Sequence, residues 1–192
     1  MEKDKLNVIM LTEDELNKLI KDAGAAGAKV ALKKLEEKKN ALHKEIMDKR
    51  LHNTKLLLEN YRLLKLNMEN SIYEKSQMNE SAADILNNMM NLYDDEVIID
   101  SIKRSAVRTA IIISHIDKML SIFEIYCNQS RKSTDKRKYQ VIYDYYIASD
   151  KLEIGQIMAK QHYGKQTIYD DIKSAESSLT ALFFGIDGLK LK

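Results

Sequence analysis

The sequence predicts an all-α protein with long N-terminal helices, in a coiled coil or a helical hairpin, followed by a C-terminal helix-turn-helix module. The 192-residue chain contains no proline, which is the strongest helix breaker. Its six glycines fall near the start and in the last quarter, so the long middle contains none. Apolar residues recur at intervals of three and four over most of the chain, as on amphipathic helices. We expect a helical region over residues 1–127, a basic linker over 128–137 and the module over 138–192.

The N-terminal region is predicted to begin with a helix capped by Thr12, because Glu15 three residues later completes a capping box. The alanine and glycine segment 23–28 predicts a loose joint or a place where two helices approach closely. A long amphipathic helix is predicted from Val30 to about Tyr73, with a break or stutter between Lys49 and Asn53, where the apolar stripe changes face. A true coiled coil and an ordinary pair of bundle helices are equally compatible with this pattern.

The middle of the chain predicts two further helices and the linker. A short helix is expected from Ser81 to Tyr93, and a long one from about Glu96 to Tyr126, with acidic residues at its positive N-terminal end. The polar stretch that follows is predicted as the linker between two modules.

The segment from Leu152 to Leu179, LEIGQIMAKQHYGKQTIYDDIKSAESSL, has the layout of a helix-turn-helix. A first short helix would end at a turn formed by Tyr163 and Gly164, and a second would start at Lys165. The second helix would bury four apolar residues at helical spacing, which are Ile168, Ile172, Ala175 and Leu179. A helix over residues 139–147 is expected to complete a three-helix core, and Gly185 to end the last helix.

Early outer-face residues of the second helix of such a motif meet base edges in the major groove of DNA. The predicted contacts are Lys165, Gln166 and Tyr169 to bases, Thr167 and Lys173 to phosphates, and Arg131, Lys136, Arg137 and Lys138 to further phosphates. For each of these residues the alternative is an ordinary solvated side chain. Asp170 and Asp171 place negative charge on or near the same helix, and therefore weaken any prediction of which bases are read.

Little else in the chain indicates a chemistry. The four histidines and the single Cys127 have no spacing typical of a zinc site, and no glycine-rich phosphate loop is present. We therefore expect no catalysis, no metal and no cofactor. The lone cysteine excludes an intramolecular disulfide and is typical of a reducing compartment. Without an apolar run of about 20 residues or a signal peptide, we expect a cytoplasmic protein that does not enter a membrane.

Three stretches of the chain resemble the late transcription regulators of phages and prophages of Gram-positive bacteria known as the ArpU or RinA type. They are Arg50–Glu74 (RLHNTKLLLENYRLLKLNMENSIYE), Ser101–Cys127 (SIKRSAVRTAIIISHIDKMLSIFEIYC) and Lys165–Leu189 (KQTIYDDIKSAESSLTALFFGIDGL). The C-terminal part is also similar to region 4 of sigma-70 factors, although Gly164 replaces the usual serine cap and Met158 the usual small alanine.

This resemblance implies a sequence-specific DNA-binding regulator that activates late genes and has double-stranded DNA as its partner. RNA polymerase is a second possible partner, and the N-terminal helices offer a surface for self-association. Two alternatives stay open at this point. One is a sigma-like factor that binds core RNA polymerase through its N-terminal helices, and the other is a helical scaffold or adaptor that does not bind DNA.

Overall fold

The computed structural model describes residues 12–69, 80–103 and 105–185, and it confirms the all-α class. Its helices are α1 (Glu13–Glu59), α2 (Tyr61–Glu69), α3 (Ala82–Met89), α4 (Asp95–Lys103), α5 (Ala106–Gln129), α6 (Ser133–Ile142), α7 (Ile154–Gln161) and α8 (Lys165–Phe184). A π-helical segment, Tyr143–Ile147, follows α6 directly. Within the described ranges there is no strand. The chain divides into two compact units, residues 1–46 and residues 47–192, and α1 contributes residues to both.

The described part of the first unit is the N-terminal portion of α1. The predicted capping box is confirmed, since the Thr12 N–H donates to Glu15 Oε2 at 2.9 Å and the Glu15 N–H donates to Thr12 Oγ1 at 3.3 Å. The predicted interruption at 23–28 is wrong, because α1 is continuous through Gly24 and Gly27. A Cβ at either glycine would meet no atom within 4 Å, so neither glycine marks a close approach to another helix among the described residues. Every described residue from 12 to 46 is exposed.

The expected break between Lys49 and Asn53 is also wrong, because α1 continues to Glu59 and is interrupted only at Asn60. The apolar stripe changes there because two polar residues, Asn53 and Thr54, occupy fully buried positions. The Thr54 hydroxyl is satisfied within the helix, where it donates to the Arg50 carbonyl at 3.0 Å. Residues 70–73, at the predicted end of this helix, lie outside the described residues.

The predicted helix from Glu96 to Tyr126 is two helices, α4 and α5. Asp94 caps the first, accepting from the Val97 N–H at 3.0 Å. The second has its own cap at Ser105, whose hydroxyl accepts from the Arg108 N–H at 3.4 Å. The Thr109 hydroxyl then donates to the Ile102 carbonyl at 3.0 Å and stabilises the junction. The short helix predicted from Ser81 is confirmed in shorter form as α3, with Ser81 and Asp84 forming a capping box.

The division into a helical region, a linker over 128–137 and a separate C-terminal module also requires correction. Helix α5 continues through Gln129 and α6 begins at Ser133, so Lys136, Arg137 and Lys138 are helical residues. Helix α5 packs against α2, α3 and α4 on the N-terminal side and against α6 and α8 on the C-terminal side. One hydrophobic core therefore runs through the second unit, from Leu56 to Phe183.

The helix-turn-helix itself is where the sequence predicts it, formed by α7, a turn at 162–164 and α8. His162 has φ 59° and ψ 36°, a left-handed conformation that ends α7 and reverses the chain. Gly164 stands at the N-cap of α8 in an extended conformation. Gly185, at φ 88°, follows Phe184 and ends α8 as predicted. The remaining residues of the predicted tail, 186–189, lie outside the described residues.

Candidate nucleic-acid interface

The inner face of α8 attaches the helix-turn-helix to the core. The four apolar residues predicted to point inward, Ile168, Ile172, Ala175 and Leu179, are all buried. Ile157 from α7 is also fully buried, and α6 and α5 both pack on α8. Since these contacts hold one face of α8 against the protein, the opposite face is presented to solvent in a fixed orientation.

That outer face carries four of the residues predicted to contact DNA. Lys165, Gln166, Tyr169 and Lys173 are exposed, whereas Thr167 is half-buried. The Lys165 ammonium lies 5.8 Å from the centre of the Tyr169 ring. The Gln166 side-chain amide donates to the Asp170 carboxylate at 3.0 Å. The first two turns of α8 therefore present one cation, one carboxylate, several hydrogen-bonding groups and an aromatic ring.

Arg137 and Asp171 form a buried ion pair between α6 and α8. The Arg137 Nε and Nη2 atoms donate to the two Asp171 carboxylate oxygens at 2.5 and 3.2 Å. Only 12% of the Arg137 side chain and 6% of the Asp171 side chain are exposed. The guanidinium also lies 4.0 Å from the centre of the Tyr163 ring in the turn. The expectation that Asp171 adds negative charge to the DNA-facing surface is therefore wrong, and Arg137 is already occupied by an internal carboxylate.

The other basic residues predicted to contact phosphates differ in their exposure and in their ion pairing. Lys138 is half-buried and forms an ion pair with Asp135 at 3.2 Å. Arg131, just before α6, and Lys136, in its first turn, are both exposed. Because Arg137 contacts Tyr163, the α6 turn that carries Lys136 adjoins the turn between α7 and α8.

A second ion pair attaches α7 to the π-helical segment. Lys160 Nζ lies 2.8 Å from the buried carboxylate of Asp144, and the Gln140 amide donates to the same carboxylate at 3.1 Å. Lys160 therefore acts as a structural cation of the motif.

A groove of about 650 Å³ runs beside the outer face of α8, and the sequence does not predict it. One wall is the 48–59 portion of α1 and the other is α8, with the π-helical segment between them. The residues that line it are Asp48, Leu51, His52, Lys55, Glu59, Tyr145, Tyr146, Gln166, Tyr169, Asp170, Ile172, Lys173 and Glu176. The spacing of Asp48, His52, Lys55 and Glu59 by four, three and four residues marks one helix face, but it does not reveal that α8 lies opposite.

Comparison of the chain with protein-family models, with curated proteins and with solved structures gave no match. The resemblance to the ArpU or RinA type stays a prediction from the residues quoted for it. Among the described residues no helix is long and apolar enough to cross a membrane. The same residues include no group of three or more histidine, cysteine or acidic side chains placed to hold a metal ion.

Proposed function

We propose that this protein is a DNA-binding transcription regulator that inserts the N-terminal end of α8 into the major groove. The observation that carries the proposal is the exposed first turn of α8, with Lys165 and Gln166 directly after a tight turn. This is where helix-turn-helix proteins place the side chains that read base edges. The resemblance to phage and prophage late regulators adds the expectation that the protein activates late genes.

The surroundings of α8 favour contacts from its first turn over contacts from its middle. Tyr169 and Lys173 line the groove, where Asp48 and Glu59 stand on the opposite wall. The negative charge of these carboxylates repels the phosphates of a duplex. Lys165, Lys136 and Arg131 do not line the groove, and together with Gln166, which does, they form the DNA surface that we propose.

The test is a gel-shift titration against the DNA that adjoins the gene for this protein, with a Lys165→Ala, Gln166→Ala double variant. Loss of a base-reading pair is expected to weaken specific binding by about tenfold or more while leaving the fold intact, because both side chains are exposed. Lys173→Ala is the control, with a smaller expected loss. Absence of binding at low salt, or equal binding by the double variant, would contradict the proposal.

We further propose that the N-terminal portion of α1 binds a second copy of the chain. Leu32, Leu35, Leu42 and Ile46 are spaced by three, seven and four residues, and 36–67% of each is exposed. An exposed helix of this kind gains most of its stability by burying such a stripe against another helix. Self-association would supply two DNA-binding modules, as many helix-turn-helix regulators require.

A further inference from the structure

The groove between α1 and α8 has a charge opposite to that of a DNA-binding surface. Four carboxylates line it, those of Asp48, Glu59, Asp170 and Glu176, against the two lysines Lys55 and Lys173. With His52 neutral, the formal charge is −2. Lys55 lies 3.7 Å from Glu59 on its own helix, so part of this positive charge is already engaged. The groove thus repels a polyanion and attracts a cation.

Two of the carboxylates, those of Glu59 and Glu176, affect the hydroxyl of Tyr146, which also lines the groove. The Tyr146 hydroxyl donates to Glu176 Oε1 at 2.7 Å, and only 8% of Glu176 is exposed. Burial, this hydrogen bond and the negative charges of Glu176 and Glu59 together raise the pKa of Tyr146. Among the described ion pairs none involves Glu176. A buried carboxylate without a countercharge is costly, and a cation from outside would remove that cost.

Two tyrosine rings of the groove, those of Tyr145 and Tyr169, have lysine ammonium groups of the chain close to them. Lys151 Nζ lies 5.5 Å from the centre of the Tyr145 ring, and Lys165 Nζ lies 5.8 Å from the centre of the Tyr169 ring. A lysine or arginine over such a face gains electrostatic energy from the ring. Arginine also stacks flat on aromatic rings and forms paired hydrogen bonds with carboxylates.

We propose that this groove binds an arginine-containing basic segment of a protein partner, with one guanidinium between Glu59 and Glu176 and neighbouring side chains against Tyr145 and Tyr169. The groove and the proposed DNA surface adjoin on α8 and share Gln166, whereas Lys165 belongs to the DNA surface alone. This proposal does not require that the protein bind DNA.

The test measures binding of a fluorescein-labelled hexa-arginine peptide to the full-length protein by fluorescence anisotropy at physiological salt. Glu59→Gln, Glu176→Gln is expected to weaken binding about tenfold, because the shape is kept and the charge is lost. If that variant is less stable than the wild type, Asp48→Asn, Asp170→Asn replaces it in the test, because both of these groove residues are exposed. The matched control is Glu36→Gln, Glu37→Gln, which removes two charges elsewhere on α1 and should leave binding unchanged.

Backbone amide NMR shifts identify the bound surface, and we expect them at Tyr169 and Ile172. Equal weakening by the groove and control variants, shifts confined to another acidic surface, or no peptide binding would each overturn the proposal. Lys165→Ala changes a residue of the DNA surface that does not line the groove, so unchanged peptide binding by this variant would support the proposal, whatever the gel-shift result.

Discussion

At the scale of single residues, burial sets the chemistry of Cys127. Its side chain is 1% exposed, near the C-terminal end of α5. Removal from water and the nearby negative charge of Asp135 raise the pKa of this thiol to about 11. A thiol in this environment stays protonated at neutral pH, and is a packed core residue instead of a nucleophile.

The raised pKa of Cys127 predicts a dependence of stability on alkaline pH. The unfolded thiol ionises near pH 9 and the folded thiol near pH 11, so the unfolded state loses its proton first as pH rises. This contribution is fully present below pH 9 and is lost as pH rises through 11, by about 3 kcal/mol. Urea unfolding of the wild type and of Cys127→Ala across this range measures it. The difference in unfolding free energy should shrink with pH, and a constant difference would contradict the prediction.

The sequence predicts the exposure of a residue correctly where its own helix determines it, and wrongly where a neighbour on another helix determines it. Exposure of Lys165 and Gln166 follows from the helical spacing of their own segment, and the structure confirms it. The position of Asp171 does not follow in this way. It lies beside exposed Asp170 in the sequence, but Arg137, 34 residues earlier, holds it inside the protein.

At the scale of elements, the Arg137–Asp171 pair determines how α6 meets α8. Both side chains are almost completely buried, and Tyr163 covers the guanidinium. Breaking a buried pair leaves one charge without a partner in the core, which costs more than losing a surface ion pair. The seating of the helix-turn-helix on α6 is therefore weakened when one of the two residues is replaced and the other is left unpaired.

We expect Arg137→Met to lower the free energy of unfolding by about 3–5 kcal/mol, because Asp171 is left buried and unpaired. Arg137→Met, Asp171→Leu should recover most of this loss, since no charge then remains in the core. Urea unfolding followed by circular dichroism measures each value. Lys136→Met, at the exposed neighbouring position, should change stability by no more than about 0.5 kcal/mol. Equal stability of Arg137→Met and Lys136→Met would show that the pair is not structurally important.

Helix boundaries are predicted correctly from the sequence where a local cap determines them. They are predicted wrongly where burial does not follow the apolar pattern of the sequence. The Thr12 cap is predicted and observed. The helix start predicted at Ser81 is observed with a capping box, and the acidic stretch expected at the start of the next helix supplies its cap, Asp94. The Ser105 cap goes unpredicted because the flanking apolar residues continue one helical stripe across it. Buried Asn53 and Thr54 have the opposite effect, since their polar character suggests a break where α1 is continuous.

At the scale of the whole molecule, α5 joins what the sequence divides into separate modules. The core residues at the C-terminal end of α1, those of α2 to α5 and those of α6 to α8 form one cluster that includes Leu57, Ile113 and Ile172. A cooperative unit of this kind is expected to unfold in a single transition. The described residues of the first unit, in contrast, contribute none of the buried residues.

Self-association through the exposed stripe of α1 predicts that the full-length protein sediments with more than the mass of one chain at micromolar concentration. Leu35→Lys, Leu42→Lys places charges on this stripe and should shift the protein towards single chains. Asn40→Lys, Ala41→Lys adds lysines beside the stripe and is the control, with little expected effect. A wild-type protein that sediments as one chain at every concentration would disprove this association.

The sequence by itself determined the helical class, several helix starts and the outer and inner faces of α8. These depend on local spacing, caps and the absence of proline, which a single segment displays. Only the tertiary structure decided that Arg137 is paired with Asp171 and that α1 and α8 enclose an acidic groove. Helical periodicity shows which face of a segment is apolar, but the element that covers this face, or stands opposite its polar side, is set by packing between distant parts of the chain.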